Sequence, residues 1–193
     1  DLHRRLINIL HKFQQQEGGE SDENDADMDA QMIGLQLCVI SNGEQVANIA
    51  SGVLGKANPR PVTPSTLFCI FSVSKAILSI GMLRLVQEGH IELDQPVSTY
   101  LPAFASNGKE GINVRHVLSH QAGLANAMPE NVTVDALLDW TKMKETMETA
   151  TPVHGPGEET QYHYLTYAWL TCGIMEAITG RPYEEYLHEL IVE

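Results

Sequence analysis

Two serines in the chain are each followed three residues later by a lysine: Ser72 by Lys75, and Ser106 by Lys109. A hydroxyl and an amine at this spacing can act as a nucleophile and its base, because residues three apart share one face of a helix. The pattern alone is a weak signal, since ordinary composition also produces it by chance. The surroundings of each pair must therefore decide between catalysis and structure.

The sequence around Ser72 favours catalysis. The β-rich run TLFCIF, residues 66–71, leads to Ser72 at the first turn of a helix. Free amides and the helix dipole favour developing negative charge at such a turn. Apolar neighbours on both sides indicate a dry setting. If Ser72 only capped the helix, Lys75 would be an exposed cation at the positive end of the dipole, which is unfavourable.

The second pair has a different context. Ser106 and Lys109 enclose Asn107-Gly108, and no helical pattern follows them. Glycine within such a short polar segment is typical of a turn. We therefore interpret this pair as a surface turn without chemistry.

The elements that would position these residues run from strands to helices. Residues 1–16 are predicted to form an amphipathic helix, and residues 17–30, with seven acids and no base, an acidic flexible linker. Two β-rich runs flank Asn42-Gly43, which predicts a tight hairpin, and residues 58–68 have the composition of a loop. A helix is predicted from Ser72 to a stop at Gly89. Four more are predicted within INVRHVLSH, TVDALLDWTKMKETM, LTYAWLTCGIMEAITG and PYEEYLHELIVE.

Composition limits the partners that the protein can have. The chain has 193 residues, 43% of them hydrophobic, which is enough for a domain with its own core. A net charge of −13 disfavours binding to nucleic acid or to an anionic membrane surface. No apolar run is long enough for a membrane span, so a soluble protein is expected.

The cysteines and histidines do not indicate a metal site. Cys38, Cys69 and Cys172 are scattered through apolar runs, which predicts buried free thiols and weakly favours a reducing intracellular or organellar compartment. His116 and His120 stand four residues apart but lack the glutamate of a His-Glu-x-x-His zinc motif. We therefore expect no metal and no cofactor.

Several motifs in order resemble the serine β-lactamase-like family, which includes class C β-lactamases, penicillin-binding-protein-like hydrolases and carboxylesterases. They are PVTPSTLFCIFSVSKAILSIGMLRLVQEGHIELDQPVSTYLPAF and INVRHVLSHQAGL, and the resemblance extends from about residue 33 to residue 193. It implies an α/β fold over residues 31–193, a β-lactamase-like sandwich of an antiparallel sheet flanked by helices, with an all-helical cluster. The family's third motif is not found, so we expect a domain that is truncated at its C-terminus.

The resemblance also implies a catalytic tyrosine shortly after a Pro-Gly pair. Counting forward from Pro156-Gly157 selects Tyr162, and the string YHYLTYAWL agrees. Counting backward from Gly173 selects Tyr164. We predict Tyr162, with Tyr164 as the alternative. The family's asparagine two residues after the tyrosine is missing, which weakens a β-lactamase assignment and favours ester hydrolysis.

The resemblance therefore implies a serine hydrolase that acts on a small-molecule ester or amide. Ser72 would form an acyl-enzyme, and Lys75 and Tyr162 would exchange the proton. The alternative is a catalytically inactive β-lactamase-fold interaction module, which the non-standard tyrosine motif and the acidic linker support. Members of the family also occur fused to other domains. A fused or associated domain outside this chain would fit that alternative.

Overall fold

A computed structural model describes residues 4–6, 8 and 33–192. Residues 4–6 and 8 are helical. The rest of the predicted N-terminal helix and the whole predicted acidic linker lie outside the described residues. The chain divides into two compact units, Asp1–Cys69 and Ile70–Glu193. The first contains the strands and the helical residues 4–6 and 8, and the second contains the other helices and the candidate site.

The strands of the first unit form a three-stranded antiparallel sheet in the order β1-β2-β3. They are β1 Gly34–Ser41, β2 Glu44–Gly55 and β3 Asn58–Pro61. Asn42 and Gly43 join the first two strands with φ angles of 53° and 80°, the positive pair that a type I′ turn requires. The predicted hairpin is thus confirmed. The loop predicted for residues 58–68 is wrong at its start, because prolines are tolerated in a strand such as β3, whose described partner is β2 alone.

Two of the three cysteines are exposed, so the prediction that all are buried is wrong. Cys38 lies opposite Asn48 in the sheet, and Cys69 lies in a stretch without regular structure. Cys172 is buried, and this burial raises the pKa of its thiol to about 12. An apolar run in the sequence therefore does not decide the burial of each of its members.

Six α-helices form the second unit within the described residues. They are α1 Ser74–Gln87, α2 Val114–Leu118, α3 Val134–Leu138, α4 Trp140–Thr149, α5 Thr166–Thr179 and α6 Tyr183–Val192. The predicted stops are found, because Gly89 after α1 and Gly180 after α5 have φ angles of 77° and 68°. No helix in the described part of the chain is both long and apolar enough to cross a bilayer.

The segment predicted as one helix, TVDALLDWTKMKETM, forms two. Asp139 interrupts it with a ψ angle of 98°, which is outside the helical region. Its side chain accepts a hydrogen bond of 3.1 Å from the Lys142 amide and so caps α4. An aspartate that bonds to nearby backbone competes with helix propagation, and periodicity does not register that competition.

The core of the second unit lies where α1 packs against α5. Its α1 side is formed by Leu78, Met82 and Leu85, all buried. The Ser79 and Tyr167 hydroxyls lie 2.6 Å apart and join the two helices. The Tyr186 hydroxyl of α6 donates to the Gly81 carbonyl at 3.0 Å. A Cβ at Gly81 would lie 2.9 Å from the Met175 methyl, so glycine permits this close approach. The packing fixes α1, whose first turns carry the site.

Candidate active site

Ser72 lies in a 3₁₀ turn, Phe71–Val73, that leads directly into α1. The β-rich run expected before it is not a strand, since residues 66–70 have no regular structure. Phe71 has a φ of 43°, an outlier for a bulky residue that costs about 1–3 kcal/mol. The Ser74 hydroxyl donates to the Phe71 carbonyl at 2.6 Å and supports this turn. Among the bonds of the described residues, the Ser72 amide has no acceptor.

Lys75 is held by two hydrogen bonds. Its Nζ donates to the Ser72 hydroxyl at 3.1 Å and to the Tyr164 backbone carbonyl at 2.8 Å. One bond lies within the Ser-x-x-Lys turn, and the other reaches the segment that precedes α5. The amine is thus fixed against the serine hydroxyl by a contact from a distant part of the sequence.

The two candidate tyrosines have different relations to this pair. The Lys75 amine lies 4.9 Å from the Tyr162 ring centroid and 5.6 Å from that of Tyr164. Interaction with the Ser72 hydroxyl first, and with Lys75 second, lowers the pKa of the Tyr162 phenol. Tyr164 contributes its backbone carbonyl, and the side chains of both tyrosines are exposed. The structure therefore brings Ser72, Lys75 and Tyr162 together and favours Tyr162 over Tyr164, and their catalytic roles stay a prediction.

The dry setting expected around Ser72 is not found in the described residues. Phe71 is 77% exposed and Val73 is 65% exposed. Val73, the N-cap of α1, and Ile80, which is also exposed, are seven residues apart and therefore lie on the same side of the helix. That face is opposite the one that packs against α5. Apolar neighbours in the sequence therefore did not predict burial at this turn.

A histidine that the sequence suggested only as a possible zinc ligand lies against Tyr162. The His120 ring centroid is 4.9 Å from the Tyr162 centroid, and His120 Nδ1 accepts the His163 amide at 3.1 Å. His116 Nδ1 accepts the Asn113 amide at 3.2 Å and completes the N-terminal cap of α2. No three His, Cys, Asp or Glu side chains among the described residues could hold a metal ion. The adjacent Tyr-His string was the only sequence signal for this cluster.

The second Ser-x-x-Lys pair is more than the surface turn that was predicted. Asn107 and Gly108 do form a turn, with φ angles of 55° and 81°. Lys109, however, is 0% exposed. Its Nζ donates to three backbone carbonyls, at Ser106 (2.8 Å), Glu148 (2.9 Å) and Ala150 (2.6 Å). The prediction of a surface turn is therefore wrong for Lys109, because its buried amine is satisfied by three partly buried carbonyls.

Comparison with known proteins places these features in a family. The β-lactamase family model matches residues 13–193. "Esterase/beta-lactamase LipL" of Mycobacterium tuberculosis is 33% identical over 83% of the chain. A penicillin-binding protein homologue from Caulobacter crescentus has a TM-score of 0.80 and 30% identity over 96% of the chain. A family VIII carboxylesterase has a TM-score of 0.76 and 27% identity over 81% of it.

These relatives are longer than the chain. The match covers 37% of LipL, 47% of the Caulobacter crescentus homologue and 43% of the carboxylesterase. The likeness confirms the predicted fold class, an α/β protein with an antiparallel sheet and helices that is similar to β-lactamase-fold proteins.

Proposed function

Because the chain belongs to the β-lactamase family, we propose that the protein is a serine hydrolase that forms an acyl-enzyme on Ser72. The relatives named as esterases and as a carboxylesterase support a hydrolytic activity. The observation that carries the proposal is the contact of 3.1 Å between Lys75 Nζ and Ser72 Oγ, beside a phenol whose pKa these two residues lower.

In the proposed reaction, Ser72 Oγ attacks the carbonyl carbon of an ester. The hydroxyl proton passes to the Tyr162 phenolate, which the Lys75 ammonium stabilises, and then to the departing alcohol as the ester C–O bond breaks. Water attacks the acyl-enzyme, gives its proton to the same phenolate and releases the carboxylic acid. The proton then returns to Ser72.

The Ser72 amide is the donor that we propose for the developing oxyanion. It has no acceptor among the described residues, and it lies at the start of α1, where the helix dipole favours negative charge. One such donor contributes about 10²–10³ in rate in comparable sites. The attack and the stabilisation of its product would thus use two atoms of one residue.

We propose an ester rather than a β-lactam as the preferred substrate. Tyr164 stands where the family's tyrosine motif has asparagine, so the side-chain amide that would bind a substrate amide is missing. The exposed Tyr164 side chain, whose ring centroid lies 6.3 Å from that of Tyr162, carries one hydroxyl in place of the separate carbonyl acceptor and NH₂ donor of an asparagine amide. An ester needs no partner for an amide N–H.

The test is covalent labelling of the full-length protein with a fluorophosphonate, followed by peptide mass spectrometry. The adduct is expected on Ser72 and is expected to be lost in Ser72→Ala. Ser106→Ala is the matched control, because it removes the serine of the other Ser-x-x-Lys pair and should keep the adduct. Turnover of p-nitrophenyl acetate is expected to exceed that of a chromogenic cephalosporin.

A folded protein without an adduct on Ser72 would overturn the proposal. That outcome would favour the alternative function, an interaction module that keeps the fold without the chemistry. Faster turnover of the cephalosporin than of the ester would leave the hydrolase intact and overturn only the substrate preference.

A further inference from the structure

His120 holds the chain on both sides of Tyr162. Its backbone carbonyl accepts the Gln161 amide at 3.0 Å, and its Nδ1 accepts the His163 amide at 3.1 Å. Its ring lies against the Tyr162 ring, with centroids 4.9 Å apart. Three separate contacts from one residue therefore fix the backbone before the tyrosine, the backbone after it and the phenol ring itself.

His120 is itself held in place by its surroundings. Its ring packs on Tyr167 of α5, with centroids 4.8 Å apart, and on His163, at 5.6 Å. His163 is fully buried. Its Nδ1 donates to the Gln161 carbonyl at 2.6 Å and its Nε2 accepts the Leu124 amide at 3.2 Å. The segment that carries Tyr162 is thus bonded to the segment that carries His120 from both directions.

The backbone of His120 indicates that its position is specific. Its φ of 62° lies in the left-handed region, which only a few per cent of non-glycine residues adopt, although histidine does so more often than most. Gly123, three residues later, also has a positive φ, of 70°. A Cβ at Gly123 would lie 2.7 Å from the His154 carbonyl. The turn from His120 to Gly123 is therefore shaped to lie close to the segment that leads to Tyr162.

Tyr162 needs such support because 51% of its surface is exposed. A phenol with this much freedom spends less time beside the hydroxyl that it must deprotonate, and small misplacements of a catalytic group reduce rates strongly. We propose that His120 is a positioning residue for Tyr162, which it holds beside Ser72 and Lys75. This inference rests on the proposed function for its effect on rate, but not for its effect on the phenol.

The contact requires the neutral form of His120, because a protonated Nδ1 cannot accept the His163 amide. Four titratable groups face the ring. They are Lys75 from α1, Tyr162 and His163 from the segment that precedes α5, and Tyr167 from α5 itself. Burial first, and the positive charge of Lys75 second, lower the pKa of His120. Both effects favour the form that accepts the bond.

Two substitutions in the full-length protein separate the parts of the contact. His120→Asn keeps an acceptor and tolerates the left-handed φ but removes the ring. His120→Phe keeps a ring but removes the acceptor.

Both substitutions are expected to raise the pKa of the Tyr162 phenol towards its ordinary value. This pKa is measured by NMR with ¹³Cζ-labelled tyrosine, and the signal is assigned with Tyr162→Phe. We expect kcat for p-nitrophenyl acetate to fall about tenfold to a hundredfold, with KM within about threefold. His90→Asn, at an exposed site, is the control and should change neither quantity.

A folded His120→Asn or His120→Phe protein whose Tyr162 titrates as in the unaltered protein would overturn the inference, whatever its activity. It would equally be overturned if the phenol pKa rose in an active enzyme without a fall in kcat. If no adduct formed on Ser72 in the unaltered protein, the proposed function would be rejected instead. The titration of Tyr162 would still decide the role of His120.

A measurement without substitutions covers the case in which both variants unfold. As the pH falls through the His120 pKa in the unaltered protein, the nuclear Overhauser contacts between the Tyr162 ring and the Lys75 side chain should weaken. Contacts that stay constant across that titration would contradict a positioning role.

Discussion

Lys75 and Lys109 each stand three residues after a serine, and each forms a hydrogen bond to backbone, but their surroundings differ. The Lys75 amine donates to one hydroxyl and one carbonyl and is only half-buried. The Lys109 amine donates to three carbonyls and has no exposed surface. The first lysine is directed at a serine and a phenol, and the second joins a turn to the C-terminal end of α4.

This difference shows that a perturbed pKa does not by itself identify a functional lysine. Burial lowers the pKa of Lys109, a shift that is often a sign of a catalytic group. All three of its short bonds go to carbonyls, however, and no substrate could reach the amine. The Ser106 hydroxyl donates to the Glu148 carbonyl at 2.9 Å, so it too is engaged in structure. The partners and the access of a group decide its role.

Replacing each lysine by methionine should give opposite phenotypes, and the largest effect is expected for Lys75→Met. Loss of the cation that fixes Ser72 and stabilises the Tyr162 phenolate should reduce kcat for p-nitrophenyl acetate by about 10³-fold. The melting temperature should change little, because the freed Tyr164 carbonyl can bond to water. If the variant retained more than a tenth of the wild-type rate, Lys75 would not have the chemical role that distinguishes it from Lys109.

Lys109→Met should instead reduce stability. The Ser106 and Ala150 carbonyls would lose the donor that the Lys109 amine supplies in a partly buried place, while the Glu148 carbonyl would keep the Ser106 hydroxyl. The loss of the amine's bonds costs about 3 kcal/mol, or more than a hundredfold in the folding equilibrium. Urea unfolding measures this loss, and the rate of fluorophosphonate labelling per folded molecule should not change. Equal stability of the variant and the wild type would contradict a structural role.

The pH dependence of stability gives a second measurement on Lys109. Its pKa in the folded protein is below the ordinary 10.5, so between these two values the unfolded chain binds more protons than the folded one. Stability contributed by this group therefore rises with pH through that window. Lys109→Met should remove the rise, and Lys75→Met provides the comparison.

The sequence predicted the Ser72 site better than it predicted the role of Lys109. Residues three apart in a helix have a fixed geometry, so the Ser72–Lys75 contact followed from spacing. The distinction between Tyr162 and Tyr164 did not, because it depends on how a loop returns to α1. The burial of Lys109 depends on carbonyls about 40 residues further along the chain, and the break at Asp139 depends on a local cap. Contacts of this kind are not encoded in periodicity.

The tyrosine beside Lys75 provides the next measurement, since no tyrosine contacts Lys109 among the described residues. The pKa of Tyr162 is below its ordinary value of 10, so the labelling rate at Ser72 should rise with pH to a midpoint below 10 as the phenolate forms. Tyr162→Phe should remove this rise and lower the rate about a hundredfold, less than the loss of Lys75. Tyr164→Phe keeps the carbonyl that binds Lys75 and should stay within about threefold of wild type. The reverse result would assign the catalytic role to Tyr164.

The smallest expected effect concerns the serine of the structural pair. Ser106→Ala removes one hydroxyl that donates to the Glu148 carbonyl, but Lys109 still donates to that carbonyl at 2.9 Å. The acceptor is therefore not left unsatisfied, and the cost should be about 1 kcal/mol, against about 3 kcal/mol for Lys109→Met. In the Ser72 pair the serine substitution should affect the chemistry and not the stability. Ser72→Ala should abolish the adduct and leave the urea midpoint nearly unchanged. A Ser106→Ala protein as unstable as Lys109→Met would show that the hydroxyl, rather than the amine, holds this turn against α4.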